Sequence, residues 1–73
     1  MEYDQLAQRI RAFRKLKGHT QQELAERLGV SVAVLGSLER GTRRPDAKLL
    51  EHIADTLGIE LAELVGNTYR IKD

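Results

Sequence analysis

The segment from Thr20 to Gly41 constrains the fold most, because it predicts two short helices joined by a tight turn. Thr20 and Glu23 have the spacing of a capping box, in which each side chain accepts a hydrogen bond from the other residue's backbone N–H. Gly29 lies at the end of the first helix, where a left-handed backbone costs glycine least. Ser31 is placed to cap the second helix, which ends at Gly41. Two helices that cross steeply around such a turn form a helix-turn-helix, and its second helix fits the DNA major groove.

Apolar residues recur at helical spacing along the rest of the chain and predict an all-α domain. The five predicted helices span residues 4–17, 21–28, 32–40, 47–57 and 60–65. We therefore interpret residues 1–66 as one helix-turn-helix domain and residues 67–73 as a C-terminal tail. The tail alternates polar and apolar residues weakly. It is compatible with a strand that pairs with a partner chain or, more commonly, with a frayed end.

The composition excludes several classes of protein. A chain of 73 residues makes one small domain, and its lack of cysteine excludes a disulfide framework and a thiolate zinc site. The absence of an apolar run of roughly 20 residues argues against a membrane span. His19 and His52 have no convergent third ligand, so we expect no metal and no cofactor. Nothing has the pattern of a catalytic nucleophile and base. We expect a soluble cytoplasmic protein that is not an enzyme.

The charge of the chain is distributed unevenly. The net charge is only +1, but residues 9–44 hold nine lysines and arginines against three glutamates, a local charge of +6. Residues 45–73 hold three basic and six acidic side chains, a local charge of −3. A basic half beside an acidic half suggests one face for a polyanion and another for a different contact. The alternative is a set of solvated helix faces.

A set of positions from about Leu6 to Leu64 follows the pattern of a known family. They are Ile10, Arg14, Gln21, Glu23, Leu24, Ala25, Gly29, Val30, Ser31, Leu35, Leu38, Glu39, Arg40, Gly41, Arg44, Pro45, Leu57 and Gly58. These positions resemble the Cro/C1-type helix-turn-helix family of phage repressors and small bacterial regulators. The resemblance implies a lambda-repressor-like domain of five helices, with the helix-turn-helix formed by helices 2 and 3. It also implies a homodimer on a two-fold operator in double-stranded DNA, and a transcriptional regulator whose expected mode is repression.

The resemblance implies that Gln21, at the start of helix 2, holds a DNA phosphate. The free N–H groups and the positive dipole end of a first helical turn favour an anion at that place. The resemblance also places Arg40, Arg43 and Arg44 along the sugar–phosphate backbone, where a guanidinium can bind a phosphate bidentately. Four further cations are expected to add only a diffuse positive field: Arg9, Arg11, Lys15 and Lys17.

Helix 3 departs from the family pattern at its outward positions, where long polar side chains usually contact base edges. The outward positions here are interpreted as Val32, Ala33, Gly36 and Ser37. Bidentate recognition of guanine needs Arg or Lys, and that of adenine needs Asn or Gln. Val32 and Ala33 could contact thymine methyl groups. Ser31 and Ser37 could bond a phosphate, a base or a water molecule.

This departure leaves a second function open. The chain could be a protein-interaction module, such as an adaptor or antitoxin-like partner, that uses the apolar surface of helix 3. A DNA-binding domain taken from a larger protein is a third, lesser possibility. Gln21 and the basic loop favour DNA over a protein partner, whereas Val32, Ala33 and Gly36 weaken that preference.

Two further groups of residues are assigned no contact with DNA: one stabilises the fold and the other joins two copies of the chain. Arg14 and Glu39 match a family pair that links helix 1 to helix 3, and we expect a structural ion pair there. The end of the chain carries more apolar residues than a small monomer needs, so we expect a dimer interface there. Its predicted residues are Leu61, Leu64, Val65 and Tyr69.

Overall fold

The computed structural model describes residues 4–66, and five α-helices account for most of this part of the chain. The helices are α1 (Asp4–Leu16), α2 (Gln21–Leu28), α3 (Val32–Arg40), α4 (Ala47–Leu57) and α5 (Leu61–Val65). The described range contains no strand, and the prediction of an all-α fold with five helices is confirmed. Of the predicted bounds, α1 ends one residue earlier than expected and α5 begins one residue later. The predicted tail at residues 67–73 lies outside the described residues.

Local capping explains why the central helices begin at these residues. The Thr20 hydroxyl accepts the Glu23 N–H at 3.0 Å, and a Glu23 carboxylate oxygen accepts the Thr20 N–H at 2.9 Å. The predicted capping box is therefore present at the start of α2. The Ser31 hydroxyl accepts the Val34 N–H at 3.0 Å and starts α3 in the same way. Each such cap contributes about 1 kcal/mol to stability. Because Ser31 ends the turn between α2 and α3, its cap also fixes where the turn gives way to α3.

Two separate features of the structure favour glycine at position 41, where α3 ends. Its φ of +81° lies in the left-handed region, where a residue with a Cβ is strained and glycine is not. A Cβ at this position would also lie 2.7 Å from a carboxylate oxygen of Asp4 and 3.5 Å from the Asp4 Cα. The lack of a side chain at Gly41 thus allows the end of α3 to lie close to the start of α1.

The core lies where the five helices meet. α1 packs against α3, α4 and α5, and α2 packs against α3 and α4. Each fully buried leucine or isoleucine contributes about 1.5–3 kcal/mol through removal of its surface from water. The largest side chains with almost no exposed surface are Leu6, Ile10, Leu24, Leu35, Leu38, Ile53 and Leu64.

Arg9, which is expected to add only a diffuse positive field, also has a specific place in this packing. Its Nε donates to the Leu64 carbonyl oxygen at 2.9 Å, and its Nη2 donates to the Glu63 carbonyl oxygen. The guanidinium also lies 5.9 Å from the centre of the Phe13 ring. The last carbonyls of a helix have no partner within that helix. Arg9 supplies two donors to these carbonyls and thereby ties α5 to α1.

Among residues 4–66, no helix is both long enough and apolar enough to cross a membrane.

Candidate nucleic-acid interface

A buried ion pair joins α1 to α3 directly behind the candidate interface. The Arg14 Nε donates to Glu39 Oε2 at 2.6 Å, and the Arg14 Nη2 donates to Glu39 Oε1 at 3.1 Å. Only 7% of Arg14 and 8% of Glu39 is exposed. The third Arg14 donor, Nη1, binds the His19 carbonyl oxygen at 2.9 Å. The structure therefore contains the Arg14–Glu39 pair that the sequence predicts, and its geometry is the bidentate fork that suits a guanidinium and a carboxylate.

Gln21 is attached to this ion pair. Its side-chain Nε2 donates to Glu39 Oε1 at 3.1 Å, and the residue is half-buried at the first position of α2. An amide nitrogen carries two hydrogens, so one N–H of Nε2 is left for another acceptor. Glu39 therefore orients the side chain that the sequence assigns to a phosphate. The sequence analysis does not predict this contact, because the family pattern assigns Gln21 to a phosphate and pairs Glu39 with Arg14.

An open groove lies between the N-terminus of α2 and the exposed side of α3. Its walls include Arg11, Thr20, Gln21 and Arg40, with the Arg14–Glu39 pair at its base. Since Glu39 already pairs with Arg14, the groove keeps the positive charge of the other two arginines. Arg11, which is expected to add only a diffuse field, thus lines this groove. Its spacing of three residues from Arg14 puts both on one face of α1 and is the signal in the sequence for its place in the groove.

The exposed face of α3 is small and mostly apolar. Val32 is 44% exposed and Ala33 is also exposed, as predicted for outward positions. Ser31 is exposed, but its hydroxyl already accepts the N–H of Val34 as the helix cap. Ser37 is half-buried, and its hydroxyl donates to the Ala33 carbonyl oxygen at 3.1 Å. Both predicted serine hydroxyls are therefore engaged within α3.

Gly36 lines the same groove, as an outward position should, but the residue itself has little exposed surface. The residue is buried, and a Cβ added to it would lie 3.1 Å from Nη1 of Arg40. The Arg40 side chain folds back along α3 and covers the glycine, so the guanidinium occupies the surface that a side chain at position 36 would otherwise fill.

The basic loop after α3 is on the surface. Arg43 and Arg44 are exposed and follow Thr42, whose hydroxyl donates to the Ser37 carbonyl oxygen at 3.3 Å. The Thr42 N–H donates to the same oxygen at 3.1 Å. These two bonds fix the start of the loop against the last turn of α3, so the loop arginines lie beside the exposed end of that helix.

Glu23 is the acidic residue of the first turn of α2. Its pKa is lowered from the ordinary value of 4.5, first because its carboxylate accepts the Thr20 backbone N–H. The hydrogen bond to the Thr20 side chain and the positive charges of His19 and Arg27 act in the same direction, and desolvation opposes them. Glu23 therefore remains a carboxylate at neutral pH and stays engaged in the helix cap.

The residues predicted for a dimer interface do not share one environment. Leu61 is 38% exposed and Val65 is half-buried, so both present some apolar surface. Leu64 is fully buried inside the protomer and offers a second copy no surface. Tyr69 lies outside the described residues.

No group of three or more His, Asp or Glu side chains that could hold a metal ion occurs among residues 4–66.

Comparison with known proteins identifies the family. A family model described as helix-turn-helix matches residues 10–64, which is most of the chain. The chain belongs to this helix-turn-helix family. The resemblance to Cro/C1-type regulators is thereby confirmed.

Named relatives of this chain are regulators. An uncharacterized HTH-type transcriptional regulator of Bacillus subtilis (strain 168), YazB, is 52% identical over 64 residues, which cover 88% of this chain and 93% of YazB. The immunity repressor protein of Bacillus phage phi105 is 38% identical over 93% of this chain, which spans 47% of that repressor. The crystal structure of SinR, the master regulator for biofilm formation, in complex with DNA has a TM-score of 0.76 and 36% identity, covering 82% of this chain and 97% of that one. These findings favour the DNA-binding prediction over the protein-interaction alternative.

Proposed function

We propose that this protein is a DNA-binding transcriptional regulator, with repression as its mode, and that it inserts α3 into the major groove. The observation that carries this function is the groove at the N-terminus of α2, where Gln21 and the cations Arg11 and Arg40 surround one concave surface. The names of the relatives, which include a phage immunity repressor, support the same function.

Gln21 is the first phosphate contact in this proposal. The first turn of α2 presents free backbone N–H groups and the positive end of the helix dipole, which together attract an anion. Glu39 takes one hydrogen of the Gln21 amide at 3.1 Å and so directs the other. A phosphate at this place would bind a side chain that is already oriented, which reduces the entropy lost on binding.

Arg43 and Arg44 are the second group of phosphate contacts. They are exposed directly after α3, and the Thr42 bonds hold the start of their loop against the helix. When α3 lies in the major groove, the loop faces the adjoining sugar–phosphate backbone. Such contacts set the affinity and the position on the duplex, but they carry no sequence information directly.

Direct base recognition by the first turn of α3 rests on methyl groups. Val32 and Ala33 are exposed there and carry no hydrogen-bonding side-chain group, whereas Ser31 serves as the helix cap. Apolar side chains of this kind contact the thymine methyl group. We therefore expect a preference for thymine opposite this turn.

The active form in this proposal is a homodimer that joins through α5, where Leu61 and Val65 present apolar surface. A two-fold dimer of helix-turn-helix domains places its half-sites about 34 Å apart along the DNA, one turn of the duplex. Sedimentation of the protein with and without DNA tests the assembly. A monomer at high concentration in both cases would contradict it.

Selection of bound sequences from random duplex DNA, read at two salt concentrations, tests the function. We expect enrichment of a two-fold sequence that survives at the higher salt. Binding without any enriched sequence would contradict specific recognition, and an absence of binding at low salt would contradict the function altogether.

The Arg44→Ala variant tests the phosphate contacts. Its affinity should fall for all sequences alike, and the slope of log affinity against log salt should decrease by about 0.9 for each phosphate that the variant no longer neutralises. Arg27→Ala removes the same charge from the far end of α2 and is the matched control. Equal slopes for these two variants and the unmodified protein would contradict the role of the loop.

A further inference from the structure

The side chain of Arg40 lies over the middle of α3, on the side that lines the groove. Its Nη2 donates to the Ser37 hydroxyl at 3.4 Å, and its Nη1 lies 3.1 Å from the place of a Cβ on Gly36. Side chains of a helix lean towards its N-terminus, so a residue covers the turn that precedes it. Because Gly36 has no side chain, the guanidinium can lie directly on this turn. An arginine at the last position of the helix thus reaches its central surface.

Within residues 4–66, the charge of Arg40 is not neutralised by an ion pair. The neighbouring carboxylate of Glu39 is occupied by Arg14 and Gln21. The hydrogen bond of Arg40 is to the Ser37 hydroxyl, which in turn donates to the Ala33 carbonyl oxygen. A guanidinium has five N–H groups. The bond to Ser37 orients the Arg40 guanidinium with one of them, and the other N–H groups can bind an external acceptor.

We propose that Arg40 is a specificity-determining residue that recognises guanine in the major groove, an inference that rests on the proposed docking of α3. Guanine presents two acceptors there, O6 and N7, and the planar fork of a guanidinium matches both. Ala33, Ser37 and Arg40 follow one another on a single face of α3 at spacings of four and three residues. On this face Arg40 has the length that its two neighbours lack, and it has donors to spare, whereas the Ser37 hydroxyl already donates within α3.

This assignment separates Arg40 from the other two arginines of the basic segment. Arg43 and Arg44 lie in the loop beyond α3, beside the proposed phosphate backbone, whereas the guanidinium of Arg40 lies on the helix itself. A phosphate contact affects all sequences alike, but a base contact affects only sites that carry its base. The sequence-based assignment of all three arginines to phosphates is therefore divided into two roles.

The matched variants Arg40→Gln and Arg43→Gln test this inference, because each removes one positive charge from an exposed side chain. Sequence selection with the unmodified protein should give a guanine at one position of each half-site. Arg40→Gln should reduce the preference for that guanine roughly 5- to 150-fold, the range expected for one bidentate contact. Arg43→Gln should weaken binding to all sequences without changing the preference.

A chemically modified site provides the second readout. Replacing the selected guanine with 7-deazaguanine removes the N7 acceptor, which should weaken binding of the unmodified protein and of Arg43→Gln but not that of Arg40→Gln. An unchanged guanine preference in Arg40→Gln, a uniform loss of affinity in that variant, or a selected site without guanine would each overturn the role of Arg40. In all three outcomes the unmodified protein still selects a sequence, so DNA binding stands. If it binds no duplex, the proposed function itself fails.

Discussion

Glu39→Ala should destabilise this protein more than almost any other single substitution on α3. The change leaves the Arg14 guanidinium, which is 7% exposed, without its countercharge. Two of its three hydrogen bonds disappear, and only the bond from Nη1 to the His19 carbonyl oxygen is kept. Because so little of this guanidinium is exposed, the cost is that of breaking a buried pair, about 3–5 kcal/mol. A chain of 73 residues has a total stability of only about 4–11 kcal/mol.

Urea denaturation followed by far-ultraviolet circular dichroism measures this loss. For a protein of this size the free energy of unfolding falls by about 1 kcal/mol per molar urea, so the midpoint should fall by about 3 M or more. Glu26→Ala is the control, because Glu26 is an exposed carboxylate on α2 and its loss should change stability by less than about 0.5 kcal/mol. Equal midpoints for Glu39→Ala and Glu26→Ala would refute the structural role of the pair.

A double substitution separates the cost of an unpaired charge from the value of the pair. Replacing Arg14 and Glu39 together with methionine removes both charges and keeps most of the buried volume. Such replacements are often neutral or stabilising, so the double variant should be more stable than Glu39→Ala. If the double variant is the less stable of the two, the loss of stability in Glu39→Ala does not come from the stranded guanidinium.

Three further predictions follow from the burial and the charges of particular residues. Leu64→Ala should destabilise the protein by about 2–5 kcal/mol, while Leu61→Ala should cost far less because Leu61 is 38% exposed; equal melting temperatures would contradict this. A carboxyl whose pKa is lowered by folding stabilises the folded state above its ordinary pKa of 4.5, and this contribution is lost as the pH falls through the folded value. Glu23→Gln should therefore make the urea midpoint less dependent on pH below about 4.5, and an unchanged dependence would rule out the effect. Val32→Gln should change the preferred DNA sequence by adding an amide that can bind adenine, and unchanged affinity and preference would mean that α3 is not in the groove.

The helices could be predicted closely because their limits are set by neighbouring residues. Thr20, Ser31 and Asp46 each accept an N–H three positions later, and a glycine follows each of these helices, so the signals lie within a few residues of the boundary. The pairing of Arg14 with Glu39 could also be anticipated, since the family pattern carries both residues.

The remaining details depend on contacts that sequence spacing does not encode. Arg9 looks like any exposed helix cation until α5 is placed beside it. Leu64 looks like a dimer-interface residue until α5 packs against α1 and α4, where this leucine is buried. Gly36 lies on the outer face by helical periodicity, yet the Arg40 side chain buries it. In each case the decisive contact forms only when the helices are packed together or a side chain has taken its folded direction.

The attachment of α5 by Arg9 also has a consequence for the order in which this protein folds. The bond from Arg9 to the Leu64 carbonyl oxygen joins residues 55 positions apart, whereas the bonds that begin α2, α3 and α4 each span three positions. Closing so long a loop costs more chain entropy than closing a short one, and the first to form are the contacts that close short loops. We expect α5 to dock late, on a surface that α1 and α4 have already built, and to be the first helix to open. Hydrogen exchange would then show the α5 amides exchanging through an opening that leaves α2 and α3 intact.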